Sequence, residues 1–266
     1  MKGTAFVGVA LKRLRNKAFL NIVLILAMAL TVGVMVCIPS FSGAVSMHIM
    51  QQELAEKTKA LNRPPFSVRY YCLPRSRQPI TLEDAVYTRD WLADMLEREV
   101  GLPVTMVYAQ SESPTLHMRY AQDSIYYDGT DLISTQVTVT DDFAEHIQVV
   151  EGNDFGEVMD PNALNVWILP SLANSIGINV GEYYELAYFF SATETPTRVI
   201  VAGFWEPLNE DDEFWYRTPN EMFKQVLSTT DDQYNQFISP IAPEGTGFDF
   251  WYYVLDDSKM SLDKAQ

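Results

Sequence analysis

Histidine and cysteine are scarce in this 266-residue sequence, and their scarcity excludes a good deal. The three histidines, His48, His117 and His146, stand far apart, and none has metal-ligand spacing to another histidine or to a cysteine. The sequence has no Gly-x-Ser-x-Gly elbow, His-Glu-x-x-His zinc helix or phosphate loop. The two cysteines are Cys37, inside an apolar run, and Cys72, beyond it. Membrane and linker should keep them apart, so no disulfide is expected and the outer part must be held by its core. Low-complexity tracts and internal repeats are also missing.

Charge is missing altogether from Ala18 to Ile38, where only Asn21 and Thr31 are clearly polar. As a helix this run would be roughly 31 Å long at ~1.5 Å per residue, enough to cross a hydrocarbon core of ~30 Å. The competing reading is a cleaved secretory signal, with Ser42-Gly43-Ala44 as its cleavage site. The apolar region of such a signal is normally shorter, about 7 to 15 residues, which favours a retained anchor in contact with the lipid bilayer. Before the run come Lys2, Lys12, Arg13, Arg15 and Lys17 and no acid. The positive-inside tendency places that end in the cytoplasm and the rest outside the cell membrane.

Basic residues are also sparse beyond the run. With five cations in the first seventeen residues, the remainder holds 14 Lys and Arg against 35 Asp and Glu, a net charge of −21. Such a domain repels nucleic acid, so no nucleic-acid partner is expected. Cationic ligands would suit it, although solubility alone explains the charge.

The order of elements predicts an α+β chain: a transmembrane helix, then a mixed outer domain. Residues 1–17 form the basic cytoplasmic segment, 18–41 the span and 42–65 a membrane-proximal helix. That helix either continues the span or begins anew after a break at Pro39. Strands are expected at Phe66–Leu73, Val104–Ala109, Leu116–Tyr120, Thr135–Thr140, Ala163–Leu169, Tyr183–Phe190, Arg198–Trp205 and Phe248–Leu255. A helix opens at Thr81 with a capping box completed by Asp84 and closes at Gly101. A short helix runs from Pro170 to Ile176, and another begins at Thr218-Pro219-Asn220-Glu221, with Met222, Phe223, Val226 and Leu227 as its apolar face. Two outer subdomains are expected, 66–148 with 218–256 and 149–217, followed by a tail at 257–266.

No catalytic, cofactor-binding or metal-ligating residue stands out, and the chain is not expected to be an enzyme. The most conspicuous cluster is Asn209-Glu210-Asp211-Asp212-Glu213, flanked by Trp205, Phe214, Trp215 and Tyr216. It lacks calcium-loop spacing, so a solvated acidic loop is the simpler meaning. The aromatics could stack on a ligand or pin the loop to its own domain. Paired carboxylates are plentiful, but nothing selects a glycosidase pair.

Three stretches carry a resemblance. They are Val150-Glu151-Gly152-Asn153-Asp154-Phe155, the segment from Leu172 to Glu182 with Gly177 and Gly181, and Val199-Ile200-Val201-Ala202-Gly203-Phe204. In order and spacing they resemble the FtsX-like, MacB-type permease family of ABC transporters, over about a quarter of the chain plus the anchor. Asn153 departs from the family pattern, which favours arginine there, and the three further spans of that family do not follow within this chain. The resemblance implies a separate ATPase subunit as partner, a homo- or hetero-dimer of permeases, and an outer domain that receives ATP-driven motion. It also implies handling of peptides, lipoproteins or drugs. The alternative is a stand-alone, single-pass binding or sensing protein.

Overall fold

A computed structural model describes residues 17–61, 66–73, 79–188, 196–242 and 245–259. Residues 1–16 of the expected basic segment and 260–266 of the expected tail lie outside the described residues. The chain divides into two units, one containing the apolar helix and the other spanning Ala55–Met260.

Helix α1 runs unbroken over Ala18–Leu61. The helix therefore continues through Pro39 and does not restart after it. Its 44 residues make a rod of roughly 66 Å at ~1.5 Å per residue. The stretch Ala18–Met50 is long and apolar enough to cross a membrane, and none of its most apolar window is buried among the described residues. Leu26 and Phe41, for example, are 63% and 72% exposed.

The second unit is built on one ten-stranded mixed sheet. Its strands are β1 (Ser67–Cys72), β2 (Val104–Glu112), β3 (Leu116–Tyr120), β4 (Asp131–Thr140), β5 (Ile147–Gly152), β6 (Leu164–Ile168), β7 (Tyr183–Tyr188), β8 (Thr197–Pro207), β9 (Val226–Ser228) and β10 (Phe248–Leu255). The order is β1-β10-β2-β4-β3-β7-β8-β6-β9, with β5 beside β8 and a further β4–β9 pairing. Strands of the 66–148 range and of the 149–217 range are thus hydrogen-bonded into the same sheet, through β3 and β7.

Helix α2 (Leu82–Val100) starts as its sequence demands. Thr81 Oγ1 accepts from the Asp84 amide at 3.2 Å, and Asp84 Oδ2 accepts from the Thr81 amide at 3.0 Å, closing the capping box. Gly101 ends the helix in the left-handed conformation. Ala85, Leu92 and Leu96, one helical stripe, pack on Ala109, Trp251 and Tyr253. Two aromatic side chains of β10 fasten the helix: Trp251 Nε1 donates to the Ala85 carbonyl at 2.7 Å and Tyr253 Oη to that of Arg89 at 2.8 Å. Arg89 adds an ion pair to Asp141 at 2.6 Å.

An aliphatic core gathers Leu116, Val137, Val166, Ile168, Leu186 and Val201 beneath helix α3 (Pro170–Ile176). A third core is aromatic and contains Tyr108, Phe143, Trp167, Trp205, Trp215 and Phe223.

The helix expected from Thr218 is a single turn, Pro219–Met222, and Thr218 makes no side-chain cap. Val226 and Leu227 belong to β9 instead. There they pair in parallel with Gln136 and Val137 of β4. As a strand the segment buries Leu227 in the aliphatic core and Val226 in the aromatic one, and this tertiary packing overrides the local helix signal.

Candidate functional site

The acidic loop turns its polar atoms on itself. Asp211 donates its amide to Asn209 Oδ1 at 3.1 Å, and the Phe214 amide donates to Asp212 Oδ1 at 3.0 Å. Asp212 Oδ2 lies 3.0 Å from His146 Nδ1, and the His146 ring stacks on Phe214 at 3.7 Å and 6°. Burial pushes the Asp212 carboxyl up, but the Phe214 amide and His146 outweigh it and hold the group below the ordinary aspartate range. The flanking aromatics are anchors: Trp205 is 0%, Phe214 2% and Trp215 3% exposed. Trp215 Nε1 also donates to the Asn209 carbonyl at 3.0 Å. A platform for an external ligand would need those ring faces, and they are already packed.

His117 pairs with Asp131 at 2.8 Å across the β3–β4 hairpin, and His48 is exposed on α1. Cys37 and Cys72 are both free. Burial, and then the Asp249 charge, push the Cys72 thiol up, which makes it a poor nucleophile. Among the described residues no group of three or more His, Cys, Asp or Glu is arranged to hold a metal ion.

The three resemblance-bearing stretches meet in space. Gly152 of β5 faces Gly203 of β8 across the strand pair. A Cβ on Gly152 would stand 2.2 Å from the Ala202 carbonyl oxygen, and one on Gly203 2.8 Å from that of Glu151. Asn153 then donates its amide to the Ala202 carbonyl at 2.9 Å and accepts from Trp167 Nε1 at 2.9 Å. From the third stretch, Gly181 donates to the Val201 carbonyl at 2.9 Å. These glycines serve close backbone approach and turns.

Three of the surface depressions among the described residues lie on the sheet domain and gather polar groups. One of about 460 Å³ lies between α3 and the 219–225 segment, over Ile133 and Leu172. Another, of about 420 Å³, gathers Arg89, Asp141, Asp142, Glu145 and Asp231. In it, Asp141 Oδ2 already holds Arg89 and accepts from the Ala109 amide at 2.9 Å, so this carboxylate serves the fold. The third, of about 250 Å³, sits where β3 ends and β7 begins and is lined by tyrosines. No local pattern announces it, since its described lining comes from residues 120 to 198.

Together these observations define an α+β sheet domain preceded by a helix able to span a membrane, with ligand-sized depressions on the domain. No family model matches the chain, and no curated protein matches it. Among solved structures it is similar to a domain of a permease protein from Porphyromonas gingivalis, one whose own assignment is provisional. That similarity has a TM-score of 0.33 and 16% identity, over 65% of this chain and 70% of the other. At that level the likeness carries no function across.

Proposed function

We propose that the chain supplies a membrane span and the outer domain of a permease worked by a separate ABC-type ATPase. It would have its N-terminus in the cytoplasm, its sheet domain outside and no catalysis of its own. The observation that carries this reading is helix α1. Apolar span and polar extension form one helix through Pro39, and among the described residues nothing buries the span's most apolar window. A continuous helix transmits a displacement along its axis, and an uncovered span leaves room for lipid or for the spans of a partner permease. The five cations ahead of it support the orientation. The three glycine-marked stretches support the family.

Affinity purification of the full chain from its native membrane tests the proposal. An ATPase subunit should co-purify, and protease added to intact cells should cut the sheet domain. Isolation of the chain alone would overturn the ATPase partnership, and a protected domain would overturn the orientation.

A stand-alone, single-pass binding or sensing protein is the second reading. It is favoured by the compactness of the Ala55–Met260 unit, built on a single ten-stranded sheet.

A further inference from the structure

The tyrosine-lined cavity has no part in the transport reading. By ring centroid Tyr120, the last residue of β3, lies 5.5 Å from Tyr126 and 5.7 Å from Tyr184. The three rings form a row from core to solvent, since Tyr184 is 1% and Tyr126 64% exposed. Glu182 stands at the same cavity. It accepts from Tyr184 Oη at 2.5 Å, from Asn179 Nδ2 and from the Asn179 amide, both at 3.0 Å. Burial pushes this carboxyl up, and those donors more than offset it, so it is an anion at neutral pH. Arg198 is the cation among the described lining residues, and it is already engaged. Its guanidinium lies 4.2 Å from the Tyr183 ring centroid and pairs with Asp123 at 3.0 Å. With Asp123 spent on Arg198, Glu182 is the uncompensated carboxylate of the described lining, within a domain that repels anions.

Aromatic faces beside a fixed carboxylate favour a cation with an apolar body, because the ring quadrupole attracts the charge while the ring surface covers the methylenes. We propose that this cavity binds an organic ammonium group, with Tyr120 and Tyr126 as its aromatic wall and Glu182 as its counter-charge. A cavity of about 250 Å³ admits one such group and its immediate substituents. The ammonium can belong to a free amine or to a lysine side chain of a polypeptide. The proposal does not rest on the transport reading, because the cavity is formed wholly by residues 120–198.

The test is calorimetric titration of the full chain in a polyoxyethylene detergent, which carries neither sugar nor choline. Choline, the tripeptide Gly-Lys-Gly and glucose are the probes. One or both amines should bind at millimolar concentration or below, and glucose should not. Tyr126→Ala removes an exposed ring and leaves the core intact; Glu182→Gln removes only charge. Each should weaken amine binding by about tenfold or more. Tighter binding of choline assigns the site to a free amine, and tighter binding of the tripeptide to a polypeptide lysine. Either supports the proposal. No heat from either amine, tighter binding of glucose, or amine binding unmoved by both substitutions would overturn it.

Discussion

Replacing Gly152 with alanine should be among the costliest single-methyl changes this domain can suffer. Gly152 has φ +97°, outside the range that other residues adopt readily, and it faces Gly203 with backbone on both sides. The added Cβ would meet the Ala202 carbonyl oxygen at 2.2 Å and Gly203 Cα at 2.6 Å. Neither is a side chain that can swing aside. The positive φ alone costs ~1 kcal/mol, and overpacking against fixed atoms adds ~1 to 3. A total of about 3 kcal/mol lowers the melting temperature by about 6 to 12 °C for a domain of this size. Gly177→Ala is the control. Its φ is +72°, but nothing lies within 4 Å of the new methyl, so only the conformational cost of ~1 kcal/mol applies. Thermal and urea denaturation, followed by near-ultraviolet circular dichroism of the buried tryptophans, report both. Equal losses in the two variants, or a Gly152→Ala protein as stable as its parent, would refute the close-approach argument.

Asp249 is wholly buried and hydrogen-bonded to Thr246, and burial raises its carboxyl above the ordinary aspartate value despite that bond. An acid raised in the folded state costs stability as pH climbs from the ordinary carboxylate range through its folded value. Asp249→Asn should therefore equal or exceed the parent at neutral pH and lose that slope; urea midpoints at acid and neutral pH decide it. Asp212 behaves oppositely. Its carboxyl is held low, so its contribution is present above the ordinary aspartate range and fades as pH falls through the folded value. Asp212→Asn should cost about 1 kcal/mol for the weakened bonds to His146 and Phe214, and limited proteolysis should cut the 208–217 segment faster. Leu26→Arg places a charge near the middle of the apolar run of α1 at a cost of ~2.5 to 3.5 kcal/mol on the insertion scale. Membrane fractionation should show reduced retention, and an unchanged distribution would count against the span.

The elements that could be read from sequence are those whose signals are local. Thr81, Asp84 and Gly101 bracket α2 because caps act over three or four residues. Pro170 and Gly177 bracket α3 for the same reason. The Thr218-Pro219-Glu221 signal was equally local and marks a real helix start, but not its length, since Val226 is claimed by β4, ninety residues earlier in the chain. Long-range pairing of that kind leaves no periodicity. Nor did the sequence disclose that β10 lies between β1 and β2, or that Tyr120, Glu182 and Arg198 share a cavity. The acidic loop, by contrast, drew the eye through composition, and its aromatics proved to be anchors.

The placement of β10 has a consequence for how the domain is made. Strand β10 is the last strand among the described residues, yet it fills the gap between the first two and supplies the Trp251 and Tyr253 floor under α2. A nascent chain would expose β1 and the apolar stripe of α2 until residue 255 arrives. Closure of this region is then a late, single event that joins the two ends of the domain's sequence. Chains interrupted before Phe248 would carry two unpaired strand edges, the usual mark for quality-control proteases and for aggregation.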